Sequence, residues 1–239
     1  MLNRFGNKMI KKLRYLKYYS KVLLNNWTQN KDSYAQHGED KIVELLLPEG
    51  INTFIDIGAN DGVLFSNTYK FAKKGAQGLC IEPSPSAYKK LLLNHLFNKR
   101  VSCINSAISN ANGKVLLQED GYESTLSKIV SERKDGSFNI PCIKFDELLK
   151  SYPNFINVDL VSIDVEGHEI EVLQGLTNQN FNSKIIIIES DKLEIDVLYK
   201  LKCLDNYNPV VSNGINTFYL NKNKNFNIPD NLSKEFYKL

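Results

Sequence analysis

Phe54-Ile-Asp-Ile-Gly-Ala-Asn-Asp-Gly62, FIDIGANDG, closes an apolar run that begins at Ile51. The run reads as a strand (Ile51–Ile57) that ends at Gly58, and a helical pattern over Ser66–Lys74 follows before Gly75 stops it. Glycines at such a strand end let the backbone turn sharply and approach a ligand closely. A second apolar run, Gly78–Glu82 (GLCIE), follows at once. Ser84 with Pro85 then supplies an N-cap and a first-turn proline for a helix running to about Asn98.

The same alternation continues outward. Val101–Ile108 reads as a third strand, Asn112-Gly113 as a turn before Lys114–Gln118, and Asn139–Lys144 as another strand with Phe145–Lys150 helical after it. Val158–Asp164 and Lys184–Glu189 are continuous apolar runs ending in a carboxylate, the pattern of central strands covered on both faces. Leu193–Leu204 reads as a helix. Pro209–Ser212 and Ile215–Leu220 flank Asn213-Gly214, a hairpin signal that implies an antiparallel strand at or near an edge. Strands alternating with helices imply an α/β fold: a doubly wound, mostly parallel sheet with helices on both faces.

The chain has 239 residues, 42% of them apolar, enough to bury a core, so disorder is excluded. The longest aliphatic stretch, Ile185–Ile188, is far short of the ~18 apolar residues of a membrane-spanning helix. The net charge of +3 is unevenly spread. Residues 1–33 carry eight bases and one acid, a net of +7, and the remaining 206 residues sum to −4. An acidic body lacks the basic face of a nucleic-acid binder. In the arm, Ile10, Leu13, Leu16, Tyr19 and Leu23 recur at helical spacing between lysines, an amphipathic pattern distinct from a signal peptide. A basic amphipathic helix can make peripheral contact with an anionic membrane surface; a helix packed on the domain with a solvated basic face is the plainer reading. The division expected is therefore a basic N-terminal arm, 1–33, and one domain, 34–239. Cys80, Cys103, Cys142 and Cys203 form no C-x-x-C pair, and the economical reading is buried reduced thiols in a cytoplasmic protein.

In a doubly wound sheet, ligands bind beyond the carboxyl ends of the strands, where the strand order reverses. Four candidates fall at strand ends. The first is the Asp56, Gly58, Asn60, Gly62 turn. The second is Glu82, 24 residues after Gly58, where a carboxylate can accept hydrogen bonds from both hydroxyls of a ribose. Together they specify an adenosine-type ligand. A dinucleotide fold needs G-x-G-x-x-G; here the spacing is G-x-x-x-G, and Asp61 would set a negative charge near the phosphates. A cationic ligand without phosphates, such as S-adenosylmethionine, fits better. The third candidate is Asp164-Val-Glu166-Gly167-His168-Glu169. Methyl transfer to a hydroxyl needs a positioned acceptor and a base, and His168 is the natural base, with Glu166 as its orienter or substitute. The fourth, Glu189 with Asp191, offers with Asp164 an oxygen-ligand set for Mg²⁺ or an acid-lined substrate site without metal; the second is preferred.

From Tyr34 to Leu220 the sequence resembles the FkbM family of S-adenosylmethionine-dependent methyltransferases. The resemblance is carried by YAQHGED (34–40), FIDIGANDG (54–62), IEPSP (81–85), NSAI (105–108), VSIDVEGHEIEVLQGL (161–176) and IIIIES (185–190). It implies a class I Rossmann-like fold. It implies that Gly58, Asn60 and Gly62 line the methionine end of the cofactor, Glu82 the ribose, and Ala107 and Ile108 the adenine. Asp164, Glu166 and His168 would face the reacting methyl, and Gln36 and Asp40 would cover the site. The activity implied is O-methylation of a hydroxyl, here taken as a sugar hydroxyl of a glycan or glycolipid precursor. The alternatives are an enzyme dependent on NAD or a nucleotide sugar, and a binding module with a degenerate site.

Overall fold

The computed structural model describes residues 20, 30–119, 127–133, 136–193, 195–229 and 236–239. The chain divides into two units, 1–32 and 33–239. The amphipathic pattern of the basic arm lies almost wholly outside the described residues.

The second unit is built on an eight-stranded sheet. Its parallel core comprises β1 (Thr53–Ile57), β2 (Gln77–Ile81) and β3 (Val101–Ile104). Strands β4 to β7 belong to a smaller sheet: Ala107–Ser109, Gly113–Glu119, Ser127–Val130 and Ser137–Lys144. The large sheet continues with β8 (Asn157–Ile163) and β9 (Asn182–Glu189), parallel to β1. It ends in β10 (Tyr207–Ser212), β11 (Asn216–Asn221) and β12 (Tyr237–Lys238), all antiparallel pairings. The order β12-β10-β11-β9-β8-β1-β2-β3 reverses direction between β1 and β8, which makes their carboxyl ends the switch point of a doubly wound sheet.

Alternation along the central strands divides the core. Ile55 and Ile57 of β1, Val161 and Ile163 of β8 and Ile186 and Ile188 of β9 face Phe145, Leu148 and Leu149 of α4 (Phe145–Ser151) and Val172 and Leu173 of α5 (Glu169–Gln174). Phe54, Leu160, Ile185 and Ile187 point the other way. They pack with Ile42, Val43 and Leu46 of α1 (Glu39–Leu46), Phe71 of α2 (Tyr69–Lys73) and Leu91 of α3 (Pro85–Asn94). Each of these side chains, buried on both sides of the sheet, contributes about 1.5–3 kcal/mol, and that is why the strands read as unbroken apolar runs.

The structure corrects the sequence expectation at three places. Val101–Ile108 is two strands in two sheets. Between them Asn105 donates its Nδ2 to the carbonyls of Glu82 (2.8 Å) and Pro83 (3.0 Å), and Ser106 Oγ donates to the Pro141 carbonyl (3.2 Å), so the chain leaves β2 and joins β7. The helix expected over Leu193–Leu204 is reduced to α6 (Ile195–Leu198) and a 3-10 turn at Lys202–Leu204, with Leu201 extended between them. The helix expected from Ser66 starts at Tyr69, because Ser66 Oγ accepts the N–H groups of Thr68 (3.2 Å) and Tyr69 (3.0 Å) as a cap. The Ser84 cap is present, accepting from Ala87 N–H at 3.1 Å. The hairpin turns at Asn213-Gly214, and its β11 is inserted between β9 and β10. All four cysteines are free thiols, Cys80 and Cys142 buried.

Candidate active site

A cleft of about 240 Å³ opens at the switch point. Its walls come from the carboxyl ends of β1 and β2, from the turn Leu64–Asn67, from Ser106–Ile108, and from Ser162 of β8 with Asp164–Glu166 after it. Leu117, Ser127 and Ile129 of the small sheet close it on one side, and Gln36 on another. Three described non-glycine residues have positive φ: Asn60 (51°), Phe65 (59°) and Glu166 (58°). All three line this cleft. Strained backbone of this kind, dearest for a bulky side chain such as Phe65, gathers where a site over-determines the chain.

The glycine turn is held by its neighbours. The N–H groups of Gly58 and Ala59 both donate to the Ile81 carbonyl, at 2.9 and 3.0 Å. A side chain at Gly58 (φ 89°) would lie 1.7 Å from the Asp164 carbonyl oxygen, so this glycine admits the β8 loop to the β1 loop. Glu82 is buried, and each of its oxygens accepts a backbone N–H: Oε2 from Asn60 (2.8 Å) and Oε1 from Ser84 (2.7 Å). The carboxylate is thereby fixed in orientation at the cleft wall. Asp56 is buried beneath the turn, accepts from Thr68 Oγ1 at 2.6 Å, and has its pKa pushed up to about 6 by burial.

Across the cleft lies a group of carboxylates. Asp164, Glu166 and Glu189 present oxygens within 4.8 Å of one another. Burial, then the charges of Glu189 and Glu166, push Asp164 up to about 8. Burial and the Glu166 charge push Glu189 up to about 7, and its Oε2 is buried without a hydrogen bond. Lys192 Nζ lies 3.0 Å from Glu166 and 3.5 Å from Glu189. Among the described residues these three acids are the set that could hold a divalent cation; Asp191 stands outside it. The loop that carries them is shaped by Glu169, whose Oε1 accepts the N–H groups of Val165 and Gly167, both at 3.1 Å.

The structure therefore brings Gln36, Asp56, Gly58, Asn60, Glu82, Ala107, Ile108, Asp164 and Glu166 to one cleft, with Glu189 beside it. Four expected features stand elsewhere. Gly62 (φ 76°) faces α3, where a side chain would meet Leu91 and His95. Asp61 turns away from the cleft and caps the N–H groups of Val63 (2.9 Å) and Leu64 (2.8 Å), so it sets no charge at the ligand. Asp40 accepts from Ser33 Oγ (2.6 Å) and Tyr34 N–H (2.8 Å), which ties down the segment that brings Gln36 to the cleft. His168 lies outside the cleft lining, with Nε2 3.0 Å from Ser109 Oγ and Nδ1 3.4 Å from Glu171, and burial lowers its pKa.

Sequence reasoning missed the small-sheet wall, Phe65 and Glu39. The last is fully buried and accepts from Asn213 (3.0 Å), Asn216 (2.8 Å) and His37 N–H (2.9 Å), binding the entry segment to the hairpin. A charged residue followed by another at a helix start gave no sign of that burial.

Comparison with known proteins places these elements in a family. The hexuronic acid methyltransferase AglP of Haloferax volcanii is 28% identical over 155 residues, which are 64% of this chain and 62% of that protein. The chain thus spans somewhat less than two thirds of the curated relative it matches. Among solved structures, a methyltransferase FkbM from Methylobacillus flagellatus overlaps with a TM-score of 0.48 at 15% identity, over 71% of this chain and 43% of that one. A precorrin-6y C5,15-methyltransferase from Geobacter metallireducens overlaps with a TM-score of 0.43 at 14% identity, over 77% of this chain and 79% of the other. The profile of the methyltransferase FkbM domain matches residues 56–200. That match runs from Asp56 at the end of β1 past Glu189 at the end of β9, more than half of the sequence and all of the strand ends that build the cleft: the chain belongs to the FkbM methyltransferase domain family.

Proposed function

We propose that the chain is an S-adenosylmethionine-dependent O-methyltransferase acting on a hydroxyl of a sugar in a glycan or glycolipid precursor. The observation that carries the reading is Glu82. Its carboxylate, at the end of β2, is fixed by two backbone N–H groups at the cleft wall, with the acids at the end of β8 on the other side of β1. The residues present fit the cofactor: Glu82 for the ribose hydroxyls, Ile108, Leu117 and Ile129 as an apolar wall for the adenine, and Asp56 and Asp164 near a positive sulfonium and ammonium. The first helix after the glycine turn starts only at Tyr69, with five residues, so no helix N-terminus stands at Gly58–Gly62 to receive a pyrophosphate. That speaks against the dinucleotide alternative.

S-adenosylmethionine, when bound, supplies an electrophilic methyl group. Asp164 lines the cleft and is held near neutrality by its burial and its acidic neighbours, the condition for a general base. In this reading Asp164 accepts the hydroxyl proton as the acceptor oxygen attacks, and Lys192 offsets the charge of Glu166 and Glu189. His168 holds the β4–α5 contact through Ser109 instead of acting as the base. The carbohydrate acceptor draws support from the hexuronic acid methyltransferase to which the chain is similar. Incubation with methyl-tritiated S-adenosylmethionine and cell-derived glycan fractions tests the reading. Label retained in glycan and lost with Asp164→Asn is expected; no transfer to any hydroxyl-bearing fraction would overturn it.

A further inference from the structure

The cleft is lined by four carboxyl side chains, Asp56, Glu82, Asp164 and Glu166, and by no lysine, arginine or histidine among the described residues. Glu189 adds a fifth acid at its margin. Lys192, the cation beside this group, is already engaged by Glu166 and Glu189. A bound S-adenosylmethionine brings one net positive charge, which leaves the site acidic. Phe65 offers a half-exposed ring at the lining, and Gln36, Asn60 and Ser127 offer uncharged hydrogen-bonding groups. That combination suits the apolar face and hydroxyl edge of a sugar ring. A carboxylate or phosphate entering the same space would lose its hydration with no cation among the described lining residues to receive it and with like charges facing it.

From this we infer that the sugar accepted at the cleft is uncharged, a neutral hexose residue, and not a uronate or a sugar phosphate. Any anionic part of a larger precursor is held outside the cleft. The inference rests on the proposed methyltransferase function and narrows its substrate away from the hexuronic acid named for the relative.

Two matched probes test it: methyl α-D-glucopyranoside and methyl α-D-glucopyranosiduronate, which differ in the charge at one carbon. Each is titrated by saturation-transfer NMR against the full chain loaded with S-adenosylhomocysteine. The neutral glucoside is expected to bind about ten-fold tighter, a factor within reach of one uncompensated like-charge contact at a partly solvated site. Ser127→Lys, which sets a cation on the small-sheet wall, is expected to raise the ratio of uronate to glucoside affinity several-fold. Equal or tighter binding of the uronate by the unaltered chain overturns the proposal. Binding of neither probe to a chain that binds S-adenosylhomocysteine overturns it together with the carbohydrate acceptor. Failure to bind S-adenosylhomocysteine would sink the underlying methyltransferase reading, a separate result.

Discussion

At the scale of single residues, the chemistry rests on where carboxylates sit and what holds them. In the proposed reading Glu82→Ala removes charge-assisted hydrogen bonds of about 1.5–3 kcal/mol each to a ribose, so cofactor affinity is expected to fall at least ten-fold by calorimetry. Asp164 and Glu189 have pKa values raised to about 8 and about 7, so both are largely protonated at pH 6. A base must be ionised to work. Methyl transfer is therefore expected to rise as pH increases through 7 to 8, and to be lost at every pH in Asp164→Asn; a flat profile from pH 6 to 9 would exclude Asp164 as the base. His168→Gln is expected to leave cofactor affinity within about two-fold, because the ring touches Ser109 and Glu171 and not the cleft. The residues of the cleft were legible in the sequence because they cluster at strand ends. Their placement was less so: Asp61 and Asp40 accept turn N–H groups, and His168 bonds Ser109 outside the cleft lining, contacts with no signature in the sequence.

At the scale of elements, the site depends on two loops that meet at Gly58. A methyl group there would overlap the Asp164 carbonyl and would also need a left-handed backbone, so Gly58→Ala is expected to cost about 3 kcal/mol or more. Gly50 has a similar φ of 93° but open space around it, and Gly50→Ala is expected to cost only about 1 kcal/mol. Denaturant unfolding of the two variants measures the difference directly, and equal costs would deny the loop contact. The central strands β1, β2, β8 and β9 were readable because burial on both faces writes an unbroken apolar run. The small sheet was not. Its strands carry mixed patterns, and the break that separates β3 from β4 depends on Asn105 reaching the carbonyls of Glu82 and Pro83, a tertiary bond with no signature in local sequence. The short helix α2 starts where Ser66 caps it, and α6 stops before an extended Leu201, against their apolar periodicity.

At the scale of the whole molecule, concentrating acids at one switch point has a thermodynamic consequence. A carboxyl whose folded pKa is raised above its unfolded value contributes stability that is fully present below pH 4 and is lost as pH climbs through the folded pKa. For Asp164 and Glu189 that window runs from about pH 4 to 8, so the ligand-free chain is expected to melt at lower temperature at pH 9 than at pH 6. Asp164→Asn should flatten that slope in a series of melting curves. The opposite net charge of residues 1–33 and of the remaining 206 also makes a prediction. If the +7 segment serves as a membrane tether, deletion of residues 1–30 abolishes co-sedimentation with anionic vesicles, and equal pelleting of both forms excludes that role. The central claim is that Glu82 and the acids opposite it form a site for a cationic adenosyl ligand and not for a dinucleotide. Calorimetric titration of the purified chain with S-adenosylmethionine and, in parallel, with NAD tests this most directly. Saturable binding of S-adenosylmethionine that Glu82→Ala weakens at least ten-fold, with no heat from NAD, is the predicted result; binding of NAD without S-adenosylmethionine would contradict the account.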